Sequence, residues 1–62
     1  MNDDLNMSIR KFLKEVGVTS QTIIEKSWEN KDLPPGTKVN AKIVLTIDDL
    51  DIIHVVNGRI GN

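Results

Sequence analysis

The stretch Leu33-Pro34-Pro35-Gly36-Thr37 decides what the rest of this chain can be. Neither proline can donate a backbone hydrogen bond, and each pushes the residue before it towards extended geometry. A helix therefore cannot run through, whereas Pro35-Gly36 suits the two central positions of a type II turn. The apolar pattern changes at the same place. Before the turn, apolar residues recur every three or four positions; after it, every second position. A stiff connector thus separates a helical half from a strand half.

In the helical half, Leu5, Ile9, Phe12, Leu13 and Val16 fall within about one third of a helical circumference, with Arg10, Lys11, Lys14 and Glu15 on the other side. Asp3 or Asp4 can cap the start and complement the helix dipole. Gly17 offers a stop, since glycine tolerates the left-handed conformation that closes a helix. Thr19 can then cap a second helix, with Val18 and Ile23 at the spacing of a hydrophobic staple. Ser20, Ile23, Ile24, Ser27 and Trp28 form one face of that helix, with Trp28 either the anchor of the helix-sheet core or an exposed interface hot spot, and Asn30 or Lys31 ends it. The expectation is two helices, at about residues 4–16 and 20–30.

In the strand half, Val39, Ala41, Ile43, Leu45 and Ile47 alternate with Asn40, Lys42, Val44 and Thr46. A second run offers Leu50, Ile52, His54, Val56, Gly58 and Ile60 on one parity. Two strands, about 39–47 and 50–60, form an antiparallel hairpin. A two-residue loop, Asp48-Asp49, and a four-residue loop, Asp48 to Asp51, both put the two apolar parities on one side; a three-residue loop does not. The fold class is α+β, a single α-α-β-β domain over residues 1–62 with both helices packed on the hairpin.

This pattern leaves Val44, Ile53 and Val55 together on the opposite hairpin face, beside Lys42, Thr46 and Arg59. Single exposed apolar residues are normal. Three neighbouring β-branched ones on so short a chain mark a candidate protein interface, and a lone two-stranded hairpin is weakly stable by itself. Both hairpin edges are also open to strand pairing. A homodimer or another protein partner is the expectation.

Composition removes many alternatives. With 62 residues, ordering costs roughly 1.5 kcal/mol per residue, which a small core barely offsets. No cysteine is present, so there is no disulfide framework, thiolate metal site or cysteine nucleophile. The net charge of −1 lacks the basic footprint of a nucleic-acid binder. The N-terminal Met1-Asn2-Asp3-Asp4 is unlike a signal peptide, and no run approaches a membrane span. A cytoplasmic, soluble protein is expected.

Chemistry-bearing groups are sparse. His54 stands alone on the core parity and reads as a packing residue, because a metal site needs three or four protein ligands. Asp48, Asp49 and Asp51 lack the glycine and glutamate of a calcium loop. Gly58 and Gly61 have no phosphate-loop context, and Gly58 reads as a bulge or close approach at the strand end. No catalytic residue, metal site, cofactor or small-molecule ligand is expected, and the protein is read as non-enzymatic. The alternative is a helix-turn-helix DNA-binding regulator with Gly17 at the turn and the hairpin as wing. Glu25 and Glu29 on the second helix and the aspartates at the hairpin tip speak against it.

The block Asn6-Met7-Ser8-Ile9-Arg10-Lys11-Phe12-Leu13-Lys14-Glu15-Val16-Gly17-Val18-Thr19-Ser20-Gln21, with Ile24-Glu25-Lys26, resembles the N-terminal signature of a family of short bacterial proteins of unknown function. Val44-Leu45-Thr46-Ile47-Asp48 and His54-Val55-Val56 with Gly58 and Ile60 are similar to that family's C-terminal half. The connector Asp32-Leu33-Pro34-Pro35-Gly36 departs from it. The resemblance implies a free-standing bacterial protein and carries over no activity and no functional residues.

Overall fold

The computed structural model describes residues 2–62, with one helix followed by a two-stranded antiparallel sheet. Helix α1 spans Asp3–Lys31, strand β1 Lys38–Ile47 and strand β2 Ile52–Gly61, with a short 3₁₀ turn, Asp48–Leu50, between the strands.

The expected pair of helices is therefore one helix of 29 residues, and the element order is α-β-β. Gly17 does not stop it. Its φ is not positive, and it sits in mid-helix at a cost of about 1 kcal/mol relative to alanine. Continuing a helix adds one hydrogen bond per residue fixed, whereas restarting one requires a new and unfavourable nucleus. Thr19 is no cap either. Its hydroxyl donates to the carbonyl of Glu15 at 2.8 Å, and the Thr22 hydroxyl donates to that of Val18 at 3.2 Å. Both threonines thus bond back along the helix instead of opening a new one. The expected staple is missing too, since Val18 and Ile23 are both exposed.

The true caps lie at the outer ends. Asn2, rather than Asp3 or Asp4, is the N-cap, its side-chain oxygen accepting from the Leu5 backbone N–H at 2.6 Å. Asp3 and Asp4 occupy the first turn, where their charge favours the dipole. At the other end Asp32 adopts the left-handed conformation at φ 51° and donates its N–H to the Glu29 carbonyl at 3.4 Å.

The connector turns as its sequence requires. Gly36 has φ 83°, and the Thr37 N–H and hydroxyl both donate to the Pro34 carbonyl, at 3.2 and 2.6 Å. These features fit a type II turn with Pro35-Gly36 at its centre. Strand β1 then runs back along the helix.

The hairpin uses the longer of the two admissible loops. Ile47 pairs with Ile52, so Asp48 to Asp51 form the loop and Leu50 belongs to it rather than to β2. Asp51 takes φ 53° and donates its N–H to the Asp48 carbonyl at 3.1 Å. Aspartate tolerates that left-handed position better than most residues, which is why this loop can close without glycine.

The register sorts side chains cleanly. Val39, Ala41, Ile43, Leu45 and Ile47 pair with Ile60, Gly58, Val56, His54 and Ile52, making an inner face towards the helix. Leu5, Ile9, Phe12 and Leu13 lie beside the turn end of that face, and Ile24 and Trp28 beside its open end. Val16, Ser20 and Trp28 of the helix, and Val39, Ala41, Leu45, Ile52 and Ile60 of the hairpin, are half-buried along this seam. None of the described residues is fully buried. The chain is correspondingly long, with extents of 46 × 20 × 16 Å and a radius of gyration of 15.2 Å. A compact domain of this length would have a radius of gyration of about 10.6 Å.

A continuous helix has a direct consequence at Gly17. A Cβ there would meet nothing within 4 Å, so Gly17→Ala is expected to stabilise the fold by about 1 kcal/mol and raise the melting temperature by about 4–8 °C. A drop in melting temperature, read by circular dichroism, would contradict an unbroken helix.

Candidate association surface

Two apolar surfaces stand out, one on each side of the hairpin. The outer face carries Lys38, Asn40, Lys42, Val44 and Thr46, paired with Gly61, Arg59, Asn57, Val55 and Ile53. Val44 and Val55 are direct cross-strand partners, and Ile53 is the next position towards the turn. The structure thus brings together the three residues that alternation singled out. They are 52%, 43% and 78% exposed for Val44, Val55 and Ile53. Strand propensity accounts for the residue types, since β-branched side chains fit a pleated surface. It does not account for leaving them uncovered.

The second surface is the seam itself. Helix and inner hairpin face enclose an open groove at the turn end of about 560 Å³, lined by Leu5, Ile9, Phe12, Leu13, Leu45, Ile47, Leu50 and Ile52 with Ser8 and His54. A second open groove, of about 470 Å³, lies at the other end around Ile24, Trp28, Leu33, Val39 and Ile60. Sequence periodicity shows which side chains point into the seam. It carries no signal for the seam remaining open along its flanks.

The remaining expected features find their places. His54 pairs with Leu45 on the inner face and lines the turn-end groove, exposed rather than packed. Among the described residues no group of three His, Asp or Glu side chains could hold a metal ion. Asp48, Asp49 and Asp51 form the turn at the hairpin tip. Gly58, expected to mark a bulge or close approach, does neither: it pairs regularly with Ala41 and faces open space. The close approach is at Gly61, where a Cβ would collide with the Thr37 carbonyl oxygen and Lys38 Cα. The strand end is therefore pinned against the connector at a position that takes only glycine. The helix-turn-helix alternative loses its basis, because the turn it needs at Gly17 is continuous helix. No helix among the described residues is long and apolar enough to cross a membrane.

These features define a small α+β protein of one long helix and one hairpin, with its apolar surface displayed rather than enclosed. The chain belongs to a family of unknown function, DUF6494, whose model matches residues 1–62. No curated protein and no solved structure shows significant similarity to it.

The two sides of the helix should respond differently to truncation. Phe12, in the seam and 53% exposed, should cost about 2 kcal/mol when replaced by alanine. Val18, equally exposed at 56% but on the opposite side of the helix, should cost no more than about 0.5 kcal/mol. Urea unfolding of Phe12→Ala and Val18→Ala measures both, and equal losses would refute the seam as the chain's core.

Proposed function

We propose that this chain is a non-enzymatic protein-interaction module that self-associates through its hairpin, a second copy covering apolar surface that one chain leaves in water. The observation that carries this reading is the amount of surface. The chain exposes 5835 Å², whereas a compact folded protein of 6.9 kDa exposes about 4,000 Å². The excess, about 1,800 Å², is more than the roughly 800 Å² that each partner contributes to a standard protein–protein interface. Its apolar part, once covered, contributes at about 25 cal/mol per Å² against the entropy cost of bringing two chains together.

Val44, Ile53 and Val55 are the residues assigned to the contact. They are adjacent on a flat, regular face, and their β-branched side chains lose little rotamer freedom on being covered. A catalytic role finds no support of comparable weight: the candidate groups are a single histidine in an open groove and three aspartates at a turn.

Sedimentation equilibrium across the micromolar range tests the reading. The wild-type chain is expected to be dimeric, and Val44→Glu to be monomeric, because a carboxylate cannot be covered there without losing its hydration. A wild-type chain that stays monomeric throughout would sink the proposal; a Val44→Glu chain that associates as tightly as wild type would remove this face from the contact.

A further inference from the structure

The turn-end groove of the seam differs in charge from the rest of the chain. Five of the nine acidic side chains gather at that end: Asp3 and Asp4 in the first turn of α1, and Asp48, Asp49 and Asp51 in the hairpin turn. Residues 2–9 and 43–58, which make up that end, contain none of the eight basic side chains. The helix N-terminus adds about half a positive charge, which offsets about a tenth of the carboxylates. A chain close to neutral in total, at −1, is thus strongly acidic at one end. Within this rim the wall is apolar. Leu5, Ile9, Phe12 and Leu13 of the helix and Ile47 and Leu50 of the hairpin line about 560 Å³, with Ser8 and His54 as the polar members. That volume is within the range of about 300–1,000 Å³ typical of binding pockets.

We infer that the turn-end groove docks a basic amphipathic helix of another protein, its apolar face against Leu5, Phe12 and Leu50 and its lysines or arginines towards the aspartates of the rim. This goes beyond the self-association proposed above and does not depend on it, because the groove opens on the inner side of the hairpin, opposite Val44, Ile53 and Val55. Surface remains for it: the excess of about 1,800 Å² is about 1,000 Å² more than one standard interface takes from each partner. Three features select the occupant. The groove runs beside α1 from Leu5 to Leu13, about 12 Å, the length over which a helix presents two or three apolar anchors at i, i+4 and i+7. An occupant rich in carboxylates would meet like charge on entry, whereas a basic one is drawn in. A second copy fits less well, since its one helix already turns its apolar stripe to its own hairpin.

Two peptides of about 14 residues probe the groove, with leucines at the same helical positions and either lysine or glutamate at the others. The single histidine lines the groove, so the His54 ring resonances report its occupancy by NMR. The lysine peptide is expected to shift them saturably and to bind roughly tenfold more tightly than the glutamate peptide at low salt, with the margin shrinking at high salt. Leu50→Lys places a cation in the wall at a loop position that is 64% exposed, and should weaken the lysine peptide roughly tenfold. Asp48→Asn, Asp49→Asn and Asp51→Asn combined keep a residue that tolerates the left-handed position 51, and should cut the preference for lysine to about threefold or less. Circular dichroism matching the wild type shows that the variants are folded. Equal binding of the two peptides by the wild type, binding that leaves His54 unshifted, or no binding of the lysine peptide up to millimolar concentration would each overturn the assignment.

Discussion

A two-stranded ribbon is too narrow to bury a helix. Its strands are about 5 Å apart and it offers two rows of inward side chains, while the helix laid on it is about 10–12 Å across. The helix covers that face only in part: the central inner pair Ile43 and Val56 stays about half exposed, while Val39, Leu45, Ile52 and Ile60 nearer the ends are half-buried. That is why Val16, Trp28, Leu45 and Ile60 reach only partial burial and no described residue goes further. The other local features serve this thin, two-layer arrangement. The Asn2 cap and the Asp32 left-handed close set the length of the helix. The Pro35-Gly36 turn and the Gly61–Thr37 approach fold the hairpin back beneath it.

Much of this architecture was legible in the residues. Pro34-Pro35-Gly36 forbids helix by covalent geometry, so the boundary between halves follows without tertiary information. The alternation in Val39 to Ile47 and Ile52 to Ile60 likewise fixes which side chains share a face. It left two loop lengths open because both preserve parity; the structure selects four residues, with Asp51 accepting the left-handed position. The helix break was misread for an instructive reason. Gly17 followed by Thr19 carries the same chemistry as a stop and a cap, but those signals act only where the chain benefits from turning. Here the apolar stripe runs from Leu5 through Phe12 and Val16 to Ile24 and Trp28, so one unbroken helix reaches both the turn end and the open end of the inner hairpin face.

The candidate surface was legible to the same depth. Parity alone placed Val44, Ile53 and Val55 together, and the observed register does the same. The openness of the seam was not legible, because periodicity gives direction and not area: it marks which side chains turn inward without revealing whether enough chain exists to cover them. The 5835 Å² of accessible surface supplies that missing quantity. It gives the proposed association a physical basis in surface that one chain leaves exposed. A second copy seated on the hairpin, as proposed, adds to the stability of the single chain by mass action, so that stability then depends on protomer concentration.

The concentration dependence of thermal unfolding tests that link most directly. Followed by circular dichroism from low micromolar to near-millimolar protein, the unfolding midpoint is expected to rise steadily with concentration, because dilution removes the second copy and with it part of the fold's cover. A cooperative transition whose midpoint is the same at every concentration would show that the single chain is stable alone, and would contradict the account.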